Sequence, residues 1–304
     1  MNDSKTLAYV LLFFHMKQFF RGPNFLTSYQ FCERRRIVMY EFEKIKMEVE
    51  DHVAVIDLNN SKKMNLLYAP FFRDLQKAAD IIDADDSIFV AVITGGEKIF
   101  CAGDDVSQPE ELQFQKEHGL YEWMSHTQNC FSRISQITKP VIAAVAGYAL
   151  GGGLEMALAC DLIVVSENVK MGLTEAKIGV FPCGGGTQRL PRRIGKAWAK
   201  ELMFTGDFVN AEQALQLGLA NHVYPENTLV ESAVALAKKI AKKTCPASDR
   251  LMKHAIDCGY ETDLKTGLII ELDDAFREGF SPDKEEGLKA FAEKRPPVWT
   301  GKMV

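Results

Sequence analysis

The residues best suited to chemistry lie in a glycine-rich turn inside the segment PVIAAVAGYALGGGLEMALACD, residues 140–161. The pattern predicts a buried strand over residues 141–146, a turn containing Gly151, Gly152 and Gly153, and a helix directly behind it. Glu155 is the one charge in the first turn of that helix. Free N–H groups at a helix start attract developing negative charge, and glycine lets a ligand approach the backbone. A carboxylate beside such donors indicates chemistry on a carbonyl compound.

A second turn of the same kind occurs earlier, in GGEKIFCAGDDV, residues 95–106. It follows a predicted strand over residues 88–96 and precedes a long predicted helical region that reaches Thr138. Ligand sites in α/β folds form where such turns gather at strand ends, so we expect the two turns to face one pocket. A second carboxylate, Glu175, is twenty residues beyond Glu155. The two meet only if the strand between them folds back.

The surrounding pattern predicts the elements that position these turns. Two short β runs flank a turn at residues 50–52, and a polar loop follows at residues 59–65. Apolar residues from Leu67 to Ile82 recur at helical spacing before the strand over residues 88–96. This order of strand, helix and strand predicts a right-handed crossover and an α/β fold.

The second half of the chain changes in character. A buried strand is predicted at LIVVSE and is followed by helices at WAKELMFTG, NAEQALQLGLA and LVESAVALAKKIAKK, where Ala233, Leu236 and Ile240 form an apolar stripe. From Pro246 onward the chain reads as entirely helical. We therefore expect an N-terminal extension over residues 1–38, a core with the active site over residues 39–225, and a C-terminal helical region over residues 226–304.

Composition narrows the classes of partner. The chain has 304 residues, 47% of them hydrophobic, and a net charge of −5, but residues 1–38 carry six Lys/Arg against two Asp/Glu. The remainder is therefore distinctly acidic, which argues against nucleic acid as the main partner. The seven cysteines show neither CxxC pairs nor Cys/His ligand spacing. They predict reduced thiols in a reducing compartment and no structural zinc.

The N-terminal segment leaves two interpretations open. The apolar run from Leu7 to Phe14 is too short to cross a bilayer and makes a weak signal peptide. The segment around Arg34, Arg35 and Arg36 is rich in arginine and poor in acid, so it is either an organellar transit peptide or an extension upstream of a start at Met39. We expect a cytoplasmic protein, or one of the mitochondrial matrix if the segment is a transit peptide.

Four motifs in order resemble the enoyl-CoA hydratase/isomerase, or crotonase, family over about residues 40–304. They are GGEKIFCAGDDV, PVIAAVAGYALGGGLEMALACDLIVVSE, GLTEAKIGVFPCGGGTQRLPRRIG and AFAEKRPP. The resemblance implies an α/β fold, a crotonase-like spiral of ββα units, with a C-terminal helical trimerisation region and trimers commonly paired into hexamers. It implies an enoyl-CoA hydratase of fatty acid metabolism that adds water to a trans-2-enoyl-CoA to give the 3-hydroxyacyl-CoA.

The resemblance also implies roles for four residues. The backbone N–H groups of Asp104 and Gly152 would form an oxyanion hole for the thioester enolate. Glu155 would orient and deprotonate water, and Glu175 would protonate the α-carbon. The chain departs from many relatives in two places, since they have Ala where this chain has Asp104 and Pro where it has Thr174.

For coenzyme A, the resemblance implies contacts with Lys62, Lys98 and Lys294 and with the carbonyl of Ala102. Coenzyme A would be part of the substrate, and neither a metal nor a redox cofactor is expected. GGGTQRLPRRIG lacks the spacing of a phosphate loop and is interpreted as a wall of the acyl pocket. Further walls are expected from the helix over residues 121–131 and from the C-terminal helices.

Two other functions stay open on the sequence. A single working glutamate would suit a Δ3,Δ2-enoyl-CoA isomerase, and the same scaffold could hydrate a cyclic acyl-CoA. An RNA-binding role, which some hydratase relatives have through a lysine-rich helix, is disfavoured because the corresponding stretch PEELQFQKEHGLYEW is acidic. The deciding question is whether Glu175 reaches the pocket of Glu155.

Overall fold

The computed structural model describes residues 37–105 and 109–303, and it is built around a seven-stranded sheet. The strands in chain order are β1 (Val38–Glu41), β2 (Lys46–Glu50), β3 (Val53–Asp57), β4 (Val90–Thr94), β5 (Val141–Val145), β6 (Tyr148–Leu150), β7 (Leu162–Ser166), β8 (Lys170–Gly172) and β9 (His222–Tyr224). The sheet has the order β1-β2-β3-β4-β5-β7-β9, antiparallel as far as β3 and parallel thereafter. The remaining strands, β6 and β8, form a separate parallel pair.

The helices of the described ranges surround the sheet. They are α1 (Ala69–Ala84), α2 (Pro109–His118), α3 (Leu120–Ser135), α4 (Gly152–Leu158), α5 (Gly186–Ile194), α6 (Lys196–Thr205), α7 (Ala211–Gln216), α8 (Leu229–Lys243), α9 (Pro246–Tyr260), α10 (Leu264–Glu278) and α11 (Pro282–Glu293), with short 3-10 turns at Ser61–Lys63 and Glu175–Ile178. In residues 37–105 and 109–303, every helix is too short or too polar to cross a bilayer. The expected cytoplasmic location stays a prediction.

The predicted pair of β runs around residues 50–52 is confirmed as a hairpin. Glu50 pairs with Val53, so Asp51 and His52 form a two-residue turn. Both have positive φ, 49° and 68°, as the turn types with the twist of a β-hairpin require. The extension expected over residues 1–38 lies outside the described residues except for its last two, and β1 already begins at Val38.

The long helical region expected before Thr138 consists of two helices, α2 and α3. Gly119 stands between α2 and α3 with a φ of 88°, a conformation that ends a right-handed helix. On α3, Phe131 and Ile134 are buried and contribute to the core, where α1 packs beside this helix. The break therefore separates a packed helix from a more exposed one.

The sheet core extends past the boundary expected between residues 225 and 226. Helix α8 packs on β3, β4, β5 and β7, and its buried line is Leu229, Ala233, Ala237 and Ala241. The expected stripe is thus correct at Ala233, while Leu236 and Ile240 are only partly buried. Alanines spaced by four let the helix approach the strands closely. As a result, α8 covers the sheet although it lies in the expected C-terminal helical region, residues 226–304.

The C-terminal region is helical up to Glu293, as expected from Pro246 onward, but the last residues are not. Segment 294–303 instead returns toward the sheet, where the carboxylate of Asp283 accepts hydrogen bonds from the N–H groups of Thr300 and Gly301 (2.7 and 2.9 Å). Gly301 lies against the carbonyl of Asp86 and the ring of Phe89. The tail thus anchors α11 at the end of the sheet where β4 begins.

The loop predicted at residues 59–65 is held by Asn65, which is fully buried. Its Nδ2 donates to the carbonyls of Ile99 and Phe100 (3.0 and 2.9 Å), and its Oδ1 accepts from the N–H of Asn60 (2.7 Å). Asn65→Ala leaves these groups without a partner, so we expect unfolding free energy to fall by about 2 kcal/mol in urea denaturation. Asn59→Ala is the matched control because Asn59 also has positive φ but is exposed. If both variants lose the same free energy of unfolding, the effect comes from backbone strain and not from the lost hydrogen bonds.

Candidate active site

The site is built around the first turn of α4. Strand β6 ends at Leu150, Gly151 follows with a φ of 51°, and α4 begins at Gly152. The N–H of Gly151 donates to the carbonyl of Gly172 at the end of β8 (2.9 Å). Gly152 is the first residue of the helix, so the helix offers its N–H no internal acceptor. This N–H is therefore available to a ligand oxygen.

The second glycine turn packs directly on this helix start. Cys101 and Leu150 are joined by a 3.0 Å backbone hydrogen bond, and any side chain on Gly153 would collide with the carbonyl of Cys101. A Cβ placed on Gly103 would lie 3.6 Å from the backbone nitrogen of Gly152. The two turns predicted to face one pocket are thus in contact. Asp104, the next residue after Gly103, is brought beside Gly152.

Glu155 lies at the bottom of the site, with only 2% of its surface exposed. Its Oε1 accepts a hydrogen bond from the N–H of Gly186 (2.7 Å). Burial raises the pKa of Glu155, while hydrogen bonds from the backbone of Gly186 and Gly184 and the charge of Arg189 act in the opposite direction. The carboxylate form is therefore desolvated but has donors aimed at it.

Those donors come from a loop that the sequence interpretation had treated as a wall of the acyl pocket. Arg189 holds this loop, because its Nη1 donates to the carbonyl of Gly184 (2.8 Å) and its Nη2 lies 3.4 Å from the hydroxyl of Ser132. A Cβ on Gly184 would lie 2.6 Å from Glu155 Oε2. The motif GGGTQR thus positions a carboxylate. The signal in the sequence was the run of three glycines before a helix, the same arrangement as at α4.

Glu175 reaches the same turn. Strand β8 pairs in parallel with β6, with Leu150 opposite Gly172, so the residues following both strands emerge side by side. The carboxylate of Glu175 lies against Gly151, where a Cβ would be 3.3 Å from Oε1. Its Oε2 is buried and has no hydrogen-bond partner among the described residues. Burial, with a contribution from the charge of Glu155, raises the pKa of Glu175 to about 7.

A thiol that the sequence did not indicate, Cys183, directly precedes the glycine loop that donates to Glu155. Burial raises the pKa of Cys183 to about 12, and the charges of Glu155, Asp104 and Glu175 add to this effect. Cys183 is therefore protonated at neutral pH. No spacing in the sequence indicated this, because Cys183 precedes the glycine loop and comes near the acids only through the fold.

Three of the four residues expected at coenzyme A lie on loops that the structure joins. Lys62 is on the loop that Asn65 clamps to residues 95–100, which carry Lys98. The N–H of Ala102 donates to the carbonyl of Met64 at the end of the same loop (3.0 Å). Lys62 and Lys98 are both exposed. A charged ligand could reach both lysines beside Ala102.

Lys294 is not brought to this group by any contact within the described chain. It ends α11 with a φ of 55°, and the tail behind it packs through Gly301 on Asp86 and Phe89. Phe89 precedes β4, whereas Ala102 follows the opposite end of that strand. The expected role of Lys294 stays a prediction. The helix expected to line the acyl pocket does border the site, because Phe131 packs against Gly184, while Tyr121 is exposed.

Comparison with known proteins agrees with this geometry. Residues 48–302 match the family model described as enoyl-CoA hydratase/isomerase. The short-chain-enoyl-CoA hydratase of Clostridium acetobutylicum is 37% identical over 84% of this chain and 97% of its own, and the crotonyl-CoA hydratase of Syntrophomonas wolfei is 38% identical over 84% and 96%. The crystal structure of an enoyl-CoA hydratase from Bacillus anthracis superposes with a TM-score of 0.79 at 39% identity, covering 86% of this chain and all of the other.

The raised pKa of Glu175 predicts a pH-dependent change in stability. The folded protein holds this proton up to about pH 7, while the unfolded chain releases it near pH 4.5, so stability falls as pH rises between these values. Glu175→Gln removes this loss, and we expect it to raise the melting temperature relative to wild type above pH 7 but not below pH 4.5. Glu167→Gln, at an exposed glutamate, is the control. A difference that stays constant with pH would contradict the raised pKa.

Proposed function

The chain belongs to the enoyl-CoA hydratase/isomerase family, and we propose that it is a hydro-lyase that converts trans-2-enoyl-CoA thioesters to 3-hydroxyacyl-CoA. One observation carries the proposal: the carboxylate of Glu175 lies against Gly151, where α4 begins, and Glu155, in the first turn of α4, is near enough for its charge to raise the pKa of Glu175. Addition of water to a double bond requires one proton to be removed from water and another delivered to carbon. Two carboxyl groups at one pocket can perform both transfers.

The thioester carbonyl would be bound by the N–H groups of Gly152 and Asp104. Attack of water at the β-carbon moves an electron pair toward this carbonyl and builds negative charge on its oxygen. Donors fixed in the backbone stabilise that charge without reorganising, which makes them more effective than mobile side chains. The contact of the turn containing Gly103 with the start of α4 supports the assignment. The side chain of Asp104 is not needed for this role.

The surroundings of the two acids support different tasks. Glu155 receives hydrogen bonds from the glycine loop, which favour the carboxylate, so it suits the base that takes a proton from water. Glu175 has a buried oxygen that finds no partner within the described ranges, and its pKa is about 7. Near neutral pH a large fraction of Glu175 is therefore protonated, which suits the acid that protonates the α-carbon. After addition, a proton passes from Glu155 back to Glu175 to restore the starting state.

The reaction as written requires no redox cofactor, because water is added and no electrons are gained or lost overall. Coenzyme A enters as part of the substrate. Lys62 and Lys98 would contact its phosphates, and the carbonyl of Ala102 would accept from the adenine amine. The loop contacts made by Asn65 support a shared position for these three residues. Lys294 is retained as a fourth contact on resemblance alone.

The same site is less suited to a Δ3,Δ2-enoyl-CoA isomerase. Shifting a double bond moves one proton between two carbons and can use a single carboxylate. Here a second carboxylate, Glu155, is buried and accepts hydrogen bonds from two backbone N–H groups. Burying a carboxylate costs free energy, and a mechanism with a single carboxylate makes no use of this second group. The paired arrangement therefore favours hydration.

We also propose that the chain assembles as a homotrimer, which can pair into a hexamer. Two separate exposed faces are apolar. One is a groove of about 760 Å³ behind the Glu175 turn, lined by Phe181, Met203 and Phe204 among others. The other is the outer face of α10, with Leu268 and Leu272. Exposed apolar faces of this kind mark interaction surfaces, and contact between two different faces of one chain generates a closed trimer when each copy is rotated by a third of a turn.

Hydration can be tested with crotonyl-CoA by following loss of the enoyl absorbance. Wild type is expected to be active, and Glu155→Gln and Glu175→Gln should each lower kcat by about 10²-fold to 10⁴-fold because each removes one proton transfer. The wild-type rate should also fall above about pH 7 as Glu175 loses its proton.

Glu167→Gln is the matched control, since it removes the charge of an exposed glutamate at the end of β7. Product analysis with a 3-enoyl-CoA distinguishes isomerisation from hydration. Near-normal hydration by either active-site variant would rule out the paired mechanism. If the protein converts only the 3-enoyl-CoA, the proposed hydratase activity is wrong and the protein is an isomerase.

The assembly can be tested by light scattering on purified protein. We expect the mass of three or six chains for wild type and a shift toward smaller species for Leu272→Asp, because a charge then faces the apolar partner surface. Leu215→Asp places the same charge at an exposed leucine of α7 and should leave the mass unchanged. A monomeric wild type would contradict the proposal.

A further inference from the structure

Asp104 brings a third carboxylate to the turn that begins α4. Its Oδ2 lies 2.5 Å from the position that a Cβ on Gly152 would occupy, and Glu175 Oε1 lies 3.3 Å from the same position on Gly151. Two consecutive glycines therefore each have a carboxylate packed against them. The side chain of Asp104 therefore packs over the start of α4, beside the proposed position of the thioester oxygen.

The charge of Asp104 extends into the space where the two glutamates act. It contributes to the raised pKa of Cys183, a thiol that the charges of Glu155 and Glu175 also affect. The cation on this side of the site, Arg189, is used to hold Gly184 and acts on Glu155. The acyl site thus combines an apolar border with the negative charges of Asp104 and Glu155, to which the ionised fraction of Glu175 adds.

We propose that Asp104 is a specificity-determining residue that excludes acyl groups carrying a second negative charge and restricts the site to neutral 2-enoyl chains. A charged acyl tail must pass the turn that holds the thioester, where it meets like charge with little solvent between them. At separations of about 6 Å and an effective dielectric constant of about 20, such repulsion changes relative affinity on the order of 100-fold. The inference rests on the proposed function, because it concerns the acyl part of the same substrate.

The same geometry gives Asp104 two opposing effects on the reaction. Its backbone N–H would stabilise the enolate oxygen, and its carboxylate would oppose that charge. The asparagine variant keeps the N–H and nearly the same shape and removes only the charge. It therefore separates the effect of the side chain from the effect of the backbone. Comparing two substrates in the same variant cancels any general change in enolate stability.

The test compares trans-2-hexenoyl-CoA with trans-glutaconyl-CoA, which has similar length but ends in a carboxylate. In wild type, kcat/KM for the charged substrate should be far lower than for the neutral one. Asp104→Asn should raise the charged-to-neutral ratio by at least about tenfold. Asp207→Asn is the matched control, because Asp207 is an exposed aspartate facing Lys177 on the surface. Its ratio should equal that of wild type.

The inference is overturned if the ratio of kcat/KM for the charged substrate to that for the neutral one in Asp104→Asn stays within twofold of wild type. In that case, hydration of hexenoyl-CoA by the wild type still supports the proposed function. Inactivity of wild type on hexenoyl-CoA would instead contradict the proposed function. If the variant does not fold, inhibition of wild type decides the matter. The unreactive glutaryl-CoA should then bind at least about tenfold more weakly than hexanoyl-CoA, and equal inhibition constants would overturn the inference.

Discussion

The close approach of two backbone turns at the start of α4 is the constraint on which the rest of the site depends. Gly153 lies against the carbonyl of Cys101, and Gly103 lies near the nitrogen of Gly152, so these positions leave no room for side chains. This contact brings Asp104, the residue after Gly103, beside Gly152 at the start of α4. It also leaves the surface of the turn bare, and the carboxylates of Asp104 and Glu175 pack there.

Two glutamates in one pocket acquire different properties because their hydrogen bonds differ. Both are desolvated, which alone would raise both pKa values. The glycine loop held by Arg189 donates to Glu155 and favours its charge, whereas Glu175 has an oxygen without a partner among the described residues. The proposed roles of Glu155 as base and Glu175 as acid therefore depend on backbone N–H groups. Under this proposal Arg189 affects the reaction indirectly, because it holds the loop that donates to Glu155.

The main sheet positions the two glycine turns. Parallel strands β4 and β5, buried on both faces, end near the two glycine turns, and α8 covers the sheet with a line of alanines. The described chain nevertheless leaves large apolar side chains exposed, such as Leu272 and Phe181. A fold that buries its sheet so completely and leaves these faces open is well suited to assembly with copies of itself.

The sequence by itself determined the family, the residues of both turns and most of the elements that precede them. Local patterns were sufficient there, because the hairpin at Asp51, the glycines at a helix start and the order of four motifs depend on neighbouring residues. The helical region up to Thr138 was also predicted, but not its division at Gly119, because helical spacing continues on both sides of this residue.

Only the tertiary structure decided whether Glu175 joins Glu155. That meeting depends on the pairing of β6 with β8, a contact between segments about twenty residues apart that no spacing encodes. The same holds for the loop that donates to Glu155, for the position of Cys183 and for the direction of the Asp104 side chain. Each is set by packing between distant segments, and the free energy of such contacts depends on the whole fold.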